Sequence, residues 1–180
     1  MNHELFGEIH YDNGSQEWTG SLHLRLFALF GVDRVEEDAV PQRHEGKLPL
    51  IIQDWEGTGP SPQQAAAVRY LLDHQADLFQ SVLAALFESY QEYTASLLSG
   101  VWGWIGRKLG VKPIESPEDL AASASFQNVQ VSTESRGEFA YLLFGVDCDW
   151  EPEHGMLIVF HRDKPATWTT QDALDLLSSG

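Results

Sequence analysis

The densest group of chemically active side chains lies in one short stretch, residues 144–155. Four carboxylates alternate there with other residues, and a cysteine, a tryptophan and a histidine stand among them. The group consists of Asp147, Cys148, Asp149, Trp150, Glu151, Glu153 and His154. Such groups can bind a divalent ion, transfer protons, or present negative charge to a partner. The stretch predicts a functional site, and its composition leaves all three chemistries open.

A metal site and a structural turn are the two alternatives for His154. The carboxylates would share one face only along a straight segment, and Pro152 indicates that the segment turns. The sequence has no second histidine at ligand spacing and no glycine-anchored calcium loop. In the structural alternative, His154 hydrogen-bonds backbone at the turn and Gly155 supplies an unusual backbone angle. We favour a structural motif of Trp150, His154 and Gly155, and we assign no metal and no cofactor.

Nucleophilic catalysis has no convincing candidate in this sequence. Cys148, the only cysteine, is flanked by two acids, and nearby negative charge raises the pKa of a thiol. We therefore expect a buried structural cysteine. No nucleophile elbow, phosphate-binding glycine loop or dinucleotide fingerprint is present. A hydrolase using the 147–154 segment, with a carboxylate pair like that of glycosidases, stays open as an alternative. We assign no catalytic residue and favour a non-enzymatic protein.

The net charge of -16 and the pI near 4.6 limit the partners of this chain of 180 residues. A surface this acidic repels nucleic-acid phosphates and anionic lipids, and it attracts basic proteins. We therefore expect a basic protein partner and no nucleic acid. Solubility alone is the alternative explanation of the charge.

Two groups of residues are candidates for the binding surface. The first is the acidic set Asp147, Asp149, Glu151 and Glu153, with a further acidic connection at 36–38. The second is Trp102 and Trp104, which stand in the one locally basic and aromatic segment. Tryptophan is favoured at interaction hot spots. The alternative for the second group is that both tryptophans pack into the core.

The expected location is the cytoplasm. One cysteine allows no intrachain disulfide, which suits a reducing compartment. The first residues carry no basic and apolar pattern of a signal peptide. No apolar run reaches the roughly 18 residues of a membrane span. The sequence does not indicate an oligomeric state.

The N-terminal third predicts three strands. Residues 4–11 and 17–30 predict a β-hairpin, because residues 18–28 alternate between polar and apolar and residues 12–15 supply a turn. Residues 48–55 predict a third strand, and Pro49 favours its edge or its start.

A change of period after residue 60 predicts a helix. Ser61 can cap it, Pro62 fits the first helical position, and Gln64 can complete a capping box. Apolar residues recur at spacings of three and four to Leu97, so we expect one long helix. Unbroken, it would measure roughly 55 Å at 1.5 Å per residue, more than the expected width of the domain. We therefore expect a break or bend late in its course, near residues 89–94.

The C-terminal half predicts a short helix opened by Ser116, strands at 126–134, 138–147 and 155–161, and a last helix capped by Thr169 or Thr170. The turn at 135–137 joins the first two of these strands. The predicted fold class is α+β. In it, a mainly antiparallel sheet from an N-terminal and a C-terminal three-stranded group packs against one long helix. We expect a single domain over residues 1–180, with a candidate insertion at 100–111.

The sequence resembles a family of bacterial proteins classed as a domain of unknown function. The resemblance covers most of the chain. It lies in residues 18–24, 64–66 and 116–120, and above all in residues 148–155, which read Cys-Asp-Trp-Glu-Pro-Glu-His-Gly and precede an apolar strand. Residues 101–111 depart from the family pattern.

The resemblance implies a single-domain cytosolic protein without an established activity. Some members resemble immunity proteins, which are encoded beside polymorphic toxins and block a toxin by binding it. The resemblance carries no catalytic residue to this sequence. Together with the charge, it makes a non-enzymatic inhibitor of a basic toxin the favoured hypothesis. The alternative is a small metal-binding protein or hydrolase that uses Asp147–His154.

Overall fold

A seven-stranded sheet is the centre of the computed structural model, which describes residues 1–31, 43, 45–98 and 114–170. The order is β3-β4-β5-β6-β7-β8-β9, and β1 and β2 form a separate pair. The strands are β1 Asn2–His3, β2 Gly7–Glu8, β3 His10–Asp12, β4 Glu17–His23, β5 Lys47–Gln53, β6 Ala124–Arg136, β7 Phe139–Cys148, β8 Glu151–His161 and β9 Lys164–Thr170. Neighbours in the sheet are antiparallel except β5 and β6, which are parallel.

Most helices of the described residues lie, in sequence, between β5 and β6, the two parallel strands. They are α1 Arg25–Leu29, α2 Pro62–Asp73, α3 Gln75–Leu98 and a 3-10 helix, Pro117–Ala122. Parallel neighbours need a crossover connection, because the chain must return to the same end of the sheet. The segment that holds α2, α3 and the 3-10 helix is that crossover. None of the described helices combines the length and the apolarity that a membrane crossing requires.

The main core fills the space between the helices and one face of the sheet. Alternate residues of β7 point into it, among them Leu142, Phe144 and Val146, as the period of a strand requires. Phe27 of α1 lies at its centre, with ring centroids 5.1 Å from those of Phe79, Phe126 and Phe144. This face is the base on which the 144–155 stretch is built.

A smaller apolar cluster lies on the opposite face of the sheet. Leu143, Leu157 and Val159 form it, and Tyr141 packs against it. Because both faces of β7 and β8 are apolar, these two strands are buried along most of their length. They give the hairpin that joins them a rigid support.

The predicted start of the first crossover helix is confirmed. The Ser61 hydroxyl accepts from the Gln64 amide, Gln64 Oε1 accepts from the Ser61 amide, and Pro62 occupies the first turn. Gln64 also donates from Nε2 to the carbonyls of Gln53 and Ser132 at 2.8 and 3.1 Å. This buried amide therefore fixes the N-terminus of α2 to both parallel strands.

The predicted fold class is wrong in its main features. The main sheet has three N-terminal and four C-terminal strands instead of the predicted three and three, and β1 and β2 form a second sheet. Two consecutive helices replace the one long helix, with the interruption at His74, far before residues 89–94. The break lies in the backbone of His74, whose φ of -121° and ψ of 28° depart from helical values, while its ring stacks on Tyr70 with centroids 4.1 Å apart. No proline or glycine marks this break in the sequence.

Other element boundaries are wrong because neighbouring elements override local pattern. The strand predicted at 17–30 ends at His23, and Leu24 precedes the short helix α1. Pro49 lies near the start of β5, in a strand enclosed by β4 and β6 rather than at an edge. Residues 164–170 form β9, so Thr169 and Thr170 belong to a strand and cap no helix. The remainder of that predicted helix lies outside the described residues.

The other C-terminal predictions are largely confirmed. Strands β6 and β8 include the predicted segments, β7 begins one residue later than predicted, and Gly137 has a φ of +64° in the turn between β6 and β7. The short helix is present as a 3-10 helix, but the Ser116 hydroxyl donates to Asp119 Oδ2 at 2.9 Å and caps no backbone group. The candidate insertion at 100–111 lies outside the described residues.

Two glycines with the same backbone angle give a matched test of this packing. Gly31 and Gly137 both have a φ of +64°. A Cβ on Gly31 would lie 2.0 Å from the Ala124 carbonyl oxygen, whereas one on Gly137 would meet nothing within 4 Å. Gly137→Ala should therefore cost only the left-handed strain, about 1–2 kcal/mol. Gly31→Ala should cost several kcal/mol in denaturant unfolding, since α1 must separate from β6. Equal losses would contradict this packing.

Candidate functional site

The 144–155 stretch forms the hairpin between β7 and β8. Strand β7 ends at Cys148, the turn is formed by Asp149 and Trp150, and β8 begins at Glu151. The Asp149 amide donates to the Ser123 carbonyl at 2.9 Å, which ties the turn to the segment before β6. Gly155 has a φ of +64°, in the left-handed region that favours glycine. The hairpin is therefore anchored at its tip as well as at its base.

Glu151 is the carboxylate that organises this hairpin. Its side chain is 12% exposed. The Tyr93 hydroxyl of α3 donates to Oε2, and His154 Nδ1 lies 3.1 Å from Oε1, where it donates when protonated. The hydrogen bond from Tyr93 lowers the pKa of Glu151, burial raises it, and the bonds from His154 lower it further. The net direction is downward, so the fold stabilises the ionised form.

The same contact perturbs Tyr93. Its hydrogen bond to Glu151 raises the pKa of the phenol to about 12, and burial adds to that effect. The phenol is therefore a donor at neutral pH and not a base. The contact joins two elements far apart in sequence, the late part of α3 and the start of β8.

Trp150 packs beside this group. Its ring meets Tyr90 of α3 edge to face, with centroids 5.2 Å apart, and it adds to the main core. The Tyr90 hydroxyl accepts from the Ile114 amide at 3.1 Å. Trp150 Nε1 is buried and has no hydrogen-bond partner among the described residues, so ring packing is what holds this side chain there. Trp150 and Glu151 thus fix the hairpin to one face of α3.

The remaining carboxylates of the stretch face solvent. Asp147, Asp149 and Glu153 are exposed. An open cavity of about 200 Å³ lies at the hairpin, lined by Ser125, Asp147, Cys148, Asp149, Glu151 and Pro152. The structure therefore brings three of the four predicted carboxylates around one depression. Within the described part of the chain, no group of three or more Asp, Glu, His or Cys residues is placed to hold a metal ion.

Cys148 is a buried free thiol with 3% of its surface exposed. Burial raises its pKa to about 12, and the charges of Glu151, Asp147 and Asp149 act in the same direction. At neutral pH the sulfur is therefore not a nucleophile.

Arg43 is a buried cation next to the hairpin. It is 2% exposed and donates to the Phe126 carbonyl, and from Nη2 to the carbonyl and side-chain oxygens of Gln127 at 3.3 and 2.9 Å. These acceptors lie where the register of β6 shifts against β7. Burial lowers the pKa of Arg43, and the charge of Asp147 opposes that shift. The guanidinium satisfies carbonyls of the irregular strand and partly balances Asp147.

A second ordered carboxylate, Asp54, lies at the other end of the sheet. It is 8% exposed. It accepts from Trp18 Nε1 at 2.9 Å and from the amides of Glu56, Gly57 and Gly59 at 3.1, 3.1 and 2.7 Å. Burial raises its pKa, but these four bonds lower it more, and the net direction is downward. Asp54 therefore holds the loop after β5 in one conformation.

Sequence reasoning found the hairpin but missed its supports. These supports are distant in sequence from their partners: Tyr93 lies 58 residues from Glu151, Arg43 lies 84 from Gln127, and Asp54 lies 36 from Trp18. The only signal for Asp54 is an acid followed by two glycines at 57 and 59, a pattern typical of a side chain that accepts from a following turn. Trp102 and Trp104 and the acidic connection at 36–38 lie outside the described residues.

A double-mutant cycle tests the support of the hairpin. Tyr93→Phe and Glu151→Ala should each destabilise the fold. The double variant should lose about 1.5–3 kcal/mol less than the sum, because a hydrogen bond to a charged group contributes in that range. Denaturant unfolding of the four proteins measures the coupling.

Tyr90→Phe is the matched control for this cycle. Tyr90 lies one turn earlier on α3, and its hydroxyl bonds Ile114 instead of Glu151. Its effect should add to that of Glu151→Ala within about 0.5 kcal/mol. Additivity in the Tyr93 pair would show that the Tyr93–Glu151 contact does not support the hairpin.

We expect Asp54 to make the stability of the fold depend on pH in the acid range. Its pKa is lower in the fold than in the unfolded chain, where it is about 3.9. Its ionised form therefore stabilises the fold above pH ~4, and this contribution is lost as the pH falls through the folded value. Asp54→Asn should lower stability at pH 7 by roughly 1–3 kcal/mol, with a difference that shrinks below pH ~4. Urea unfolding across pH measures this, and Glu56→Gln, an exposed neighbour, should change little. A difference independent of pH would contradict the role of the charge.

Comparison with known proteins gives one match. The sequence profile of a family described as "Domain of unknown function (DUF6985)" matches residues 5–175. The match includes every strand of the seven-stranded sheet and the whole hairpin. No curated protein and no solved structure matches the chain.

Proposed function

Because the chain belongs to this family of unknown function, we propose a function from the hairpin and the charge: a non-enzymatic binding module whose acidic hairpin binds a basic protein. The kind of partner that suits this best is a toxin, which an immunity protein blocks by binding it. The resemblance of some members of the family to immunity proteins supports this finer assignment. The single thiol supports a reducing, cytoplasmic location.

The observation that carries the proposal is the contrast between the fixed base of the hairpin and its exposed carboxylates. Asp147, Asp149 and Glu153 face solvent, while Glu151 and Trp150 are held against α3. Groups on such a support lose little freedom when a partner binds, so less binding energy is spent on ordering them. Loops carried on a rigid scaffold are where binding residues concentrate.

Electrostatics supports a basic partner over other classes. The whole chain carries -16, so its field attracts cations at a distance and repels nucleic acids. Local charge at the hairpin has the same sign, with Arg43 buried beneath it. A complementary cationic surface would therefore be steered to the molecule and would find its contacts at this end of the sheet.

The chemistry of the hairpin favours binding over turnover. The Cys148 thiol has a pKa of about 12 and is buried. Both oxygens of Glu151 already accept hydrogen bonds, and the hydroxyl of Tyr93 is committed to one of them. The groups that a reaction would need are thus used to hold the hairpin together.

Charge reversal tests the proposal once a partner has been captured from the native organism. Asp149→Lys combined with Glu153→Lys should weaken binding by at least about 2 kcal/mol, roughly 30-fold in Kd, because like charges would face each other. Isothermal titration calorimetry measures the loss. Association of the unchanged protein should also slow as salt rises, since exposed charges are screened beyond about 8 Å at physiological ionic strength.

The matched control reverses two exposed acids at the far end of the sheet. Glu138 lies in the turn between β6 and β7 and Asp163 in the turn between β8 and β9. Glu138→Lys combined with Asp163→Lys makes the same change in net charge and should leave most of the affinity. All variants should keep the melting temperature within a few degrees. Equal losses in both double variants would mean that net charge alone drives binding, and full affinity in the hairpin variant would exclude this surface.

A further inference from the structure

The most exposed large apolar side chain of the described residues stands far from the hairpin. Trp55 follows β5 and is 61% exposed. Its indole Nε1 donates to Thr133 Oγ1 at 3.4 Å, so one edge of the ring is directed toward β6 while the ring surface faces solvent. Leaving a ring of this size in water forgoes the hydrophobic free energy that its burial would gain. Its exposure in a defined position therefore suggests a function.

The backbone around Trp55 is unusually well ordered for a surface loop. The buried Asp54 carboxylate accepts from Trp18 and from three amides of the loop, and the Tyr11 hydroxyl donates to the Asp54 carbonyl at 3.2 Å. Gly57, with a φ of +67°, packs on the Tyr11 ring. A charged group is thus buried to hold the residue next to Trp55. Preorganised aromatic residues are typical anchors of recognition surfaces.

The surroundings of Trp55 select the chemistry of a ligand. The residues next in sequence to Trp55 and to its hydrogen-bond partner are polar: exposed Glu56 follows Trp55, and exposed Glu134 follows Thr133 on β6. Arg136 is three residues further on, roughly 10 Å along the strand. Among the described residues the exposed large hydrophobic side chains are Met1, Leu26 and Trp55, too few for a wide apolar patch, which disfavours an apolar partner. An exposed indole on a chain of net charge -16, with a carboxylate next to it in sequence, matches a cation, and a planar guanidinium can stack on the ring.

We propose that Trp55 is a recognition site for an arginine side chain on a basic protein partner. The guanidinium would stack on the exposed indole, and Glu56 and Glu134 would supply charge complementarity. This site lies at the opposite end of the sheet from the acidic hairpin, and it stands whether or not the hairpin binds a partner. A partner long enough to reach both ends of the sheet would contact the protein at two separate sites, the hairpin and Trp55.

The probe is the peptide acetyl-Gly-Arg-Gly amide, with a citrulline analogue that keeps the shape and removes the charge. Nitrogen-15 NMR follows the tryptophan indole signals, and the signal absent from Trp55→Phe identifies Trp55. The arginine peptide should shift that signal saturably, and the citrulline peptide should not. The shift should persist in the Asp149→Lys, Glu153→Lys variant, which separates this site from the hairpin.

A second set of variants measures the contribution of the ring through the amide signals of Glu56 and Thr133. Trp55→Ala should weaken the arginine peptide about two- to fivefold, the range for an exposed cation–π contact. Trp55→Phe should retain part of the affinity, and Glu56→Gln should weaken it. Thermal unfolding should be unchanged in all three, since the ring is exposed. A shift by both peptides or by neither, loss of the shift in the hairpin variant, or full affinity in Trp55→Ala would overturn the proposal.

Discussion

The parallel pairing of β5 and β6 is the constraint on which the rest of the structure depends. Three residues of each strand form it, with Leu50, Ile51 and Ile52 opposite Val129, Gln130 and Val131. It joins an antiparallel N-terminal group to an antiparallel C-terminal group in one sheet. Parallel strands cannot be joined by a tight turn, so the chain must cross over, and α2 and α3 are the means. The crossover buries one face of the sheet and brings Tyr90 and Tyr93 to the hairpin of β7 and β8.

Elements that are determined by contacts close in sequence are predicted correctly, whereas elements that depend on distant contacts are not. The capping box at Ser61 and Gln64 is decided within four residues, and the sequence predicts it correctly. The strands β6, β7 and β8 alternate or run apolar over ten or more residues, and their existence is also predictable. By contrast, α1 and β9 are short, and their conformation depends on the sheet and core against which they lie. Local pattern assigns both wrongly for that reason.

The interruption between α2 and α3 and the residues that support the hairpin are two further features that the sequence does not predict. Helical periodicity continues through His74, so the apolar stripe gives no sign that α2 ends there; the backbone angles of His74 in the fold show it. The dense acidic stretch is visible in sequence, but the different roles of its carboxylates are not. Glu151 differs from Asp149 and Glu153 because Tyr93 approaches it from 58 residues away and buries it against α3. Sequence can therefore locate the candidate site, whereas the division into structural and exposed acids requires the fold.

Cys148 gives this fold a chemical consequence of its own. A thiol with a pKa of about 12 is almost entirely protonated at pH 7, and burial shields it from reagents. Because Cys148 packs in the main core, alkylation of the native chain requires the hairpin to open away from that core. Cys148 is the only cysteine, so the rate of its alkylation measures how often this hairpin opens locally. Unfolding of the whole molecule is the other route to the same modification. Cys148 is therefore an internal reporter of local opening at the surface that we propose binds a partner.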